Sequence, residues 1–276
     1  MQTLFGDKKQ RFDELVDEIS RRHVAEIPFP LSFTELSAAA ESYLQFLNLP
    51  QEVKDSFTPP NAPARSYSIP GYRLRKRGVD NARDNKEFFH YHPGYESHIA
   101  SLPAANDPRA QTFLAHARAV NVAATATLRS IVELLDHEFP GVFTEYFPNT
   151  TEPQTNTILR FLKYDKAGEG AFLAAAHYDV GGATLALAES APGLRVGVSP
   201  ETLYPVIHRS GAALFMPALD LQTMTDERFK PIWHDVVQLS EDTHSDTTSR
   251  WAIVFFANAI SKKERPGFEA SRVPKS

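Results

Sequence analysis

Apolar and polar positions repeat with two different periods along this chain. In the first half they recur every three or four residues. Phe12, Leu15, Val16 and Ile19, set among charged residues, predict a helix that packs by one face. A second helix is expected to begin at a cap on Ser32 or Thr34 and to carry Leu36, Ala40, Tyr43, Leu44 and Leu47. It should stop around Asn48-Leu49-Pro50. The longest helix is expected from about Pro108 to Phe139, capped by Asp107. Its apolar stripe is Phe113, Ala117, Val120, Ala124, Leu128, Ile131 and Leu135, and a sheet is its natural partner. Residues 59–78, with Pro59, Pro60, Pro63 and Pro70 followed by YRLRKRG, read as loop. The first half therefore reads mainly as helix and loop.

From Thr155 onward the pattern changes to strand-length runs. TNTILRFLKYD, the stretch around 171–182, ATLALAES, LRVGVS, AALFMPA and RWAIVFFAN are each bounded by turn residues such as Gly168, Gly170, Gly181-Gly182, Pro192-Gly193, Pro200 and Gly211. Many short strands punctuated in this way predict an antiparallel sandwich or jelly roll.

Composition narrows the picture. A chain of 276 residues can bury roughly three quarters of its unfolded surface. Its 42% hydrophobic content excludes wholesale disorder. A net charge of −5 leaves no basic surplus for nucleic acid. No run of 18 apolar residues or signal-like N-terminus stands out, so a soluble, cytoplasmic protein without a membrane partner is expected. The absence of cysteine removes disulfides, thiolate nucleophiles and zinc–thiolate sites, so any metal must take nitrogen and oxygen ligands. Ten histidines are available.

The informative segment is AAHYDVGGATLALAESAPGLRVG, residues 175–197. His177 and Asp179 are two apart, so on an extended strand they share a face. Together they supply two ligands of a metal site that needs one more histidine. Two imidazoles and a carboxylate on one octahedral face leave positions open, which suits ferrous iron. Far downstream, His234 stands in RFKPIWHDVVQ and Arg250 opens RWAIVFF. Arg250, Ala252, Val254 and Phe256 share one face of that strand. A guanidinium among apolar side chains calls for an anion, and a carboxylate is its best partner.

In order and spacing these segments resemble the 2-oxoglutarate- and Fe(II)-dependent dioxygenases of the isopenicillin N synthase-like family. HYDVGGATLALAESAPGLRV is similar to that family's H-x-D strand and the hairpin after it. ERFKPIWHDV is similar to the stretch bearing its distal histidine, and RWAIVFF to its R-x-S strand. FLNLPQEVKDSF and DNKEFFHY carry a looser likeness in the first half. The resemblance implies a mainly β protein, a helical N-terminal portion packed on a double-stranded β-helix (jelly roll, cupin-like) core. The portions would be 1–150 (helical, contributing to the substrate pocket), 151–260 (the core) and 261–276 (a polar tail), all in one compact unit. It implies His177, Asp179 and His234 as catalytic iron ligands. Arg250 and Tyr164 would hold 2-oxoglutarate, with O2 as the other reactant. At Ala252 the family's serine, and at Leu162 its asparagine, are replaced. The implied reaction releases succinate and CO2 while an unactivated C–H bond of a small molecule is oxidised. Hydroxylation is expected, with desaturation or cyclisation as alternatives.

His244 and His208 compete with His234. His90, His92 and His98 match no common zinc spacing and read as loop residues. Arg160 shares strand parity with Tyr164, and it is a candidate for an anionic substrate group together with Arg73 and Arg75. Phe88, Phe215 and Trp251 read as packing. An oxidase of the same family that works without 2-oxoglutarate, and a non-catalytic jelly-roll binding protein, are the alternatives to a 2-oxoglutarate enzyme of specialised or amino-acid-type metabolism.

Overall fold

The computed structural model describes residues 8–60, 69–76, 85–148, 156–165, 168–239 and 249–260. The helices are α1 (Lys8–Arg22), α2 (Phe33–Phe46), α3 (Gln51–Ser56), α4 (Glu96–Ser101), α5 (Pro108–Glu138), α6 (Val142–Tyr146) and α7 (Leu219–Met224). The strands are β1 (Ala25–Pro28), β2 (Gly71–Arg75), β3 (Lys86–Tyr91), β4 (Thr157–Asp165), β5 (Phe172–His177), β6 (Ala183–Glu189), β7 (Leu194–Gly197), β8 (Tyr204–Pro205), β9 (Ala212–Pro217), β10 (Trp233–Val237) and β11 (Ser249–Ala257).

The three helices expected from periodicity are present. Ser32, not Thr34, caps α2. Its hydroxyl accepts from the Glu35 N–H at 3.3 Å while the Glu35 carboxylate accepts from the Ser32 N–H at 2.8 Å. Such a reciprocal pair satisfies two otherwise orphaned donors and is worth about 1 kcal/mol. Asp107 caps α5, and every residue of the Phe113–Leu135 stripe is buried.

Two sheets carry the strands. One has the order β1-β9-β6-β11-β4-β3-β2 and the other β5-β10-β7-β8, with every described pairing antiparallel. Strand parity gives the large sheet two apolar faces. On β11, Trp251, Ile253, Phe255 and Ala257 pack against the helices. Tyr43 and Phe46 of α2 and Phe113 of α5 meet Phe89 and Phe161 there, with ring centres 5.0 to 5.7 Å apart. The opposite parity faces the small sheet. Phe88, Leu162, Tyr164, Ala252 and Val254 meet Leu173 and Val236 across that interior.

The first half is not only helix and loop. It contributes β1, β2 and β3 to the large sheet, and residues 71–75, expected in a loop, form the edge strand β2. An edge strand tolerates the charges of YRLRK because one of its sides is never paired. Gly71 starts it with φ 96°, and a Cβ there would collide with the Phe57 carbonyl oxygen. Only glycine fits that approach. His244, Arg77, Pro63 and the polar tail 261–276 lie outside the described residues.

Candidate active site

His177 ends β5 and His234 lies on β10, directly opposite it in register. Their rings are 4.3 Å apart between centroids. Asp179 follows two residues after His177, where the chain leaves the strand. Its Oδ1 is 3.7 Å from His177 Nε2 and its Oδ2 is 3.9 Å from His234 Nε2. One ligand atom from each of the three lies within 4.8 Å of the others, the one such group among the described residues.

Local bonds fix how these groups point. His177 Nδ1–H donates to the Ala175 carbonyl at 2.8 Å, and His234 Nδ1–H to the Ile232 carbonyl at 3.2 Å. Both Nε2 lone pairs then face Asp179, the arrangement that metal-binding imidazoles require. Thr184 donates its hydroxyl to Asp179 Oδ2 at 2.5 Å. The turn after Asp179 is strapped down by main-chain bonds from Leu219 to Asp179 and from Gly182 to Ala257. A Cβ on Gly182 would collide with the hydroxyl of the buried Tyr146, so any larger residue there would force that ring to shift.

Burial, reinforced by the neighbouring His234, pushes the His177 imidazole down to about 4. It is therefore neutral near pH 7, the form that binds metal. Burial alone would raise the Asp179 carboxyl. The two imidazoles, the Thr184 hydroxyl and Arg160 outweigh it, and the net direction is down. Two imidazole nitrogens and one carboxylate oxygen form a donor set that fits a ferrous ion.

Arg250 starts the interior face of β11 and is buried. Its Nε–H donates to the Ala191 carbonyl at 3.0 Å and its Nη2 to the Glu189 carboxylate. Its Nη1 is buried with no hydrogen-bond partner among the described residues. A buried guanidinium nitrogen without an acceptor fits a site for an anion. Tyr164, opposite Arg250 on β4, presents its ring 5.9 Å from the guanidinium carbon. Ala252 lies one interior position further along, between Leu162 and Glu189, and offers no polar atom beyond its backbone.

Arg160 points into the same interior. Its Nε–H donates to His90 Nε2 at 2.7 Å, and its guanidinium lies 5.3 Å from the Phe88 ring and 4.5 Å from that of Phe256. His90 in turn donates Nδ1–H to the Ile69 carbonyl at 2.8 Å. Burial above all, and then the Arg160 charge, hold this imidazole well below its usual range, so it stays neutral and keeps one tautomer. Arg73 and Arg75 lie opposite Phe88 and Lys86 on β2, and burial followed by the Arg75 charge depresses Arg73. His208, the rival ligand, is not in the three-residue group. It lines a cavity of about 100 Å³ beside Glu189 and Ser190.

Sequence reasoning missed Glu189, Lys86 and the role of His90. All three depend on strand register. Had KEFFHY been read as a strand, its parity would have put Lys86, Phe88 and His90 on the interior face.

No family model and no curated protein sequence matches the chain. Solved structures do. A full-length Neurospora crassa protein in complex with alpha-KG (2-oxoglutarate) superimposes with a TM-score of 0.71 at 16% identity, covering 94% of this chain and 83% of that one. Its fold is that of the 2-oxoglutarate- and Fe(II)-dependent oxygenases. A Caulobacter crescentus protein assigned to the 2OG-Fe(II) oxygenase family gives 0.68 at 22% identity, covering 97% and 88%. The dioxygenase for auxin oxidation 1 of Arabidopsis thaliana, in complex with 2-oxoglutarate, gives 0.64 at 15%, covering 93% and 91%. The mainly β jelly-roll core with helical backing, expected from the sequence, is thus the observed oxygenase fold.

Proposed function

We propose that this chain is an Fe(II)- and 2-oxoglutarate-dependent oxygenase that oxidises a C–H bond of a small anionic molecule. The observation that carries the reading is the meeting of His177, Asp179 and His234 with both Nε2 atoms turned toward one carboxylate. These three residues would hold Fe(II). Arg250, through Nη1, and Tyr164 would receive the far carboxylate of 2-oxoglutarate. When bound, iron and 2-oxoglutarate supply the O2 chemistry that removes hydrogen from an unactivated C–H bond, with succinate and CO2 as coproducts.

The chain's own residues bind, orient and exclude water. The Ala175 and Ile232 carbonyls hold each imidazole in the metal-binding tautomer. Thr184 holds Asp179. Phe88, Leu162, Val254 and Leu173 wall the interior with apolar surface. Portion 151–260 would carry the chemistry, while 1–150 closes the pocket through β2 and β3.

Electrostatics support the choice of an anionic substrate. Among the described residues, Lys86, Arg160 and Arg250, with Arg73 beside them, outnumber the interior carboxylates Asp179 and Glu189. Adding a divalent ion and a dianionic cosubstrate would leave that surplus standing. Arg160 presents a guanidinium already oriented by His90 and by two aromatic rings, suited to a carboxylate or phosphate. The test is succinate release from 2-oxoglutarate by the Fe(II)-loaded protein across a panel of small carboxylates and their amides. Stimulation by carboxylates, lost in His234→Ala, supports the reading. Oxygen consumption without succinate would move it to an oxidase that does not use 2-oxoglutarate.

A further inference from the structure

The Arg250 pocket is short of charge and of donors for a free carboxylate. Glu189 already occupies one edge of the guanidinium, and Nε is spent on a backbone carbonyl. The paired side chains are together close to neutral. Ala252 adds no hydroxyl and Leu162 no amide. An incoming carboxylate would find the Arg250 Nη1 edge and the Tyr164 phenol, with little net positive charge to offset its desolvation.

Register points to the missing cation. Lys86 on β3, Tyr164 on β4 and Arg250 on β11 form one row across three adjacent strands, all on the interior face. Adjacent strands lie roughly 4.8 Å apart, so the row is within reach of long side chains. Lys86 Nζ stands 5.8 Å from the centre of the Tyr164 ring, and the Arg250 guanidinium carbon stands 5.9 Å from the same centre. Two cations thus bracket one phenol.

We infer that Lys86 is the cation that binds the far carboxylate of 2-oxoglutarate, together with Tyr164 and the Nη1 edge of Arg250, while Glu189 is a positioning residue for Arg250. The inference rests on the proposed 2-oxoglutarate reading. It moves the charge recognition of the cosubstrate from β11 alone to a row shared with a strand of the N-terminal half.

The experiment is calorimetric titration of the full chain, loaded with Mn(II) in place of iron, with 2-oxoglutarate and with 2-oxopentanoate. The second ligand keeps the keto acid end and replaces the far carboxylate by a methyl group. Wild type should prefer 2-oxoglutarate. Lys86→Met should weaken 2-oxoglutarate about 10- to 100-fold and leave 2-oxopentanoate unchanged, and Lys86→Arg should restore most of the preference. Lys86→Gln, which keeps a polar tip, should lose the preference as Lys86→Met does. An unchanged ratio of the two affinities in both neutral variants overturns the role of Lys86 while leaving the oxygenase reading intact. Failure of the wild type to bind either ligand overturns both.

Discussion

Replacing Arg250 with methionine removes the guanidinium that faces Glu189 inside the protein. The two side chains are only 3% and 9% exposed, so water cannot take the place of the lost partner. Breaking a buried ion pair from one side costs about 3 to 5 kcal/mol, because the remaining charge keeps its desolvation penalty. For a chain of this size each kcal/mol corresponds to roughly 2 to 4 °C in Tm, so Arg250→Met should melt about 6 to 20 °C below wild type. Converting Glu189 as well removes the stranded carboxylate. An apolar pair of similar volume is often neutral relative to the ion pair it replaces. The double variant Arg250→Met, Glu189→Met should therefore recover most of the loss. Thermal unfolding of the metal-free protein, followed by circular dichroism, measures all three. The double variant should also bind 2-oxoglutarate more weakly when loaded with Mn(II), which separates the folding role of the pair from its role in recognition. Equal melting of the single and double variants would refute the reasoning, since the cost would then not reside in Glu189.

Three further outcomes follow from the same geometry. Ala252→Ser restores a hydroxyl beside Arg250 and should tighten 2-oxoglutarate about 3- to 10-fold in the same calorimetric titration. Arg160→Met should raise KM for anionic substrates about 30-fold or more while leaving uncharged isosteres alone, measured by substrate-dependent succinate release. Acid should weaken the fold early. Burial holds His177 and His208 at about 4 in the folded chain, against 6.5 when unfolded. Between those values the unfolded chain binds more protons, so their contribution is full above pH 6.5 and is lost as the pH falls toward 4. The urea midpoint of the metal-free protein should be lower at about pH 5 than at about pH 7.5, and equal midpoints would contradict the assignment.

Much of the candidate site was legible because strand parity is a strict rule. His177 and Asp179 share a face by spacing alone, and Arg250 shares one with Ala252 and Val254 for the same reason. The period-2 runs after Thr155 marked most of the strands correctly. The first half resisted for physical reasons. KEFFHY has apolar residues on both parities because β3 is buried on both faces, and such a run carries no alternation to read. YRLRK looked like a solvated loop because an edge strand tolerates charge. Glu189 meets Arg250 because β6 pairs with β11 in a register that sets Glu189 opposite Ala252 on the interior face. His90 was indistinguishable from a loop histidine until the β3–β4 register set it opposite Arg160.

In the proposed function, His177, Asp179 and His234 hold a ferrous ion to which 2-oxoglutarate binds through its keto acid end. Anaerobic titration of the Fe(II)-loaded protein with 2-oxoglutarate tests it directly, because that chelate absorbs weakly in the visible. A saturable band in wild type, absent in His177→Ala and His234→Ala variants that remain folded, is the result expected. No band at saturating iron and 2-oxoglutarate, or one that persists in both variants, would contradict the account.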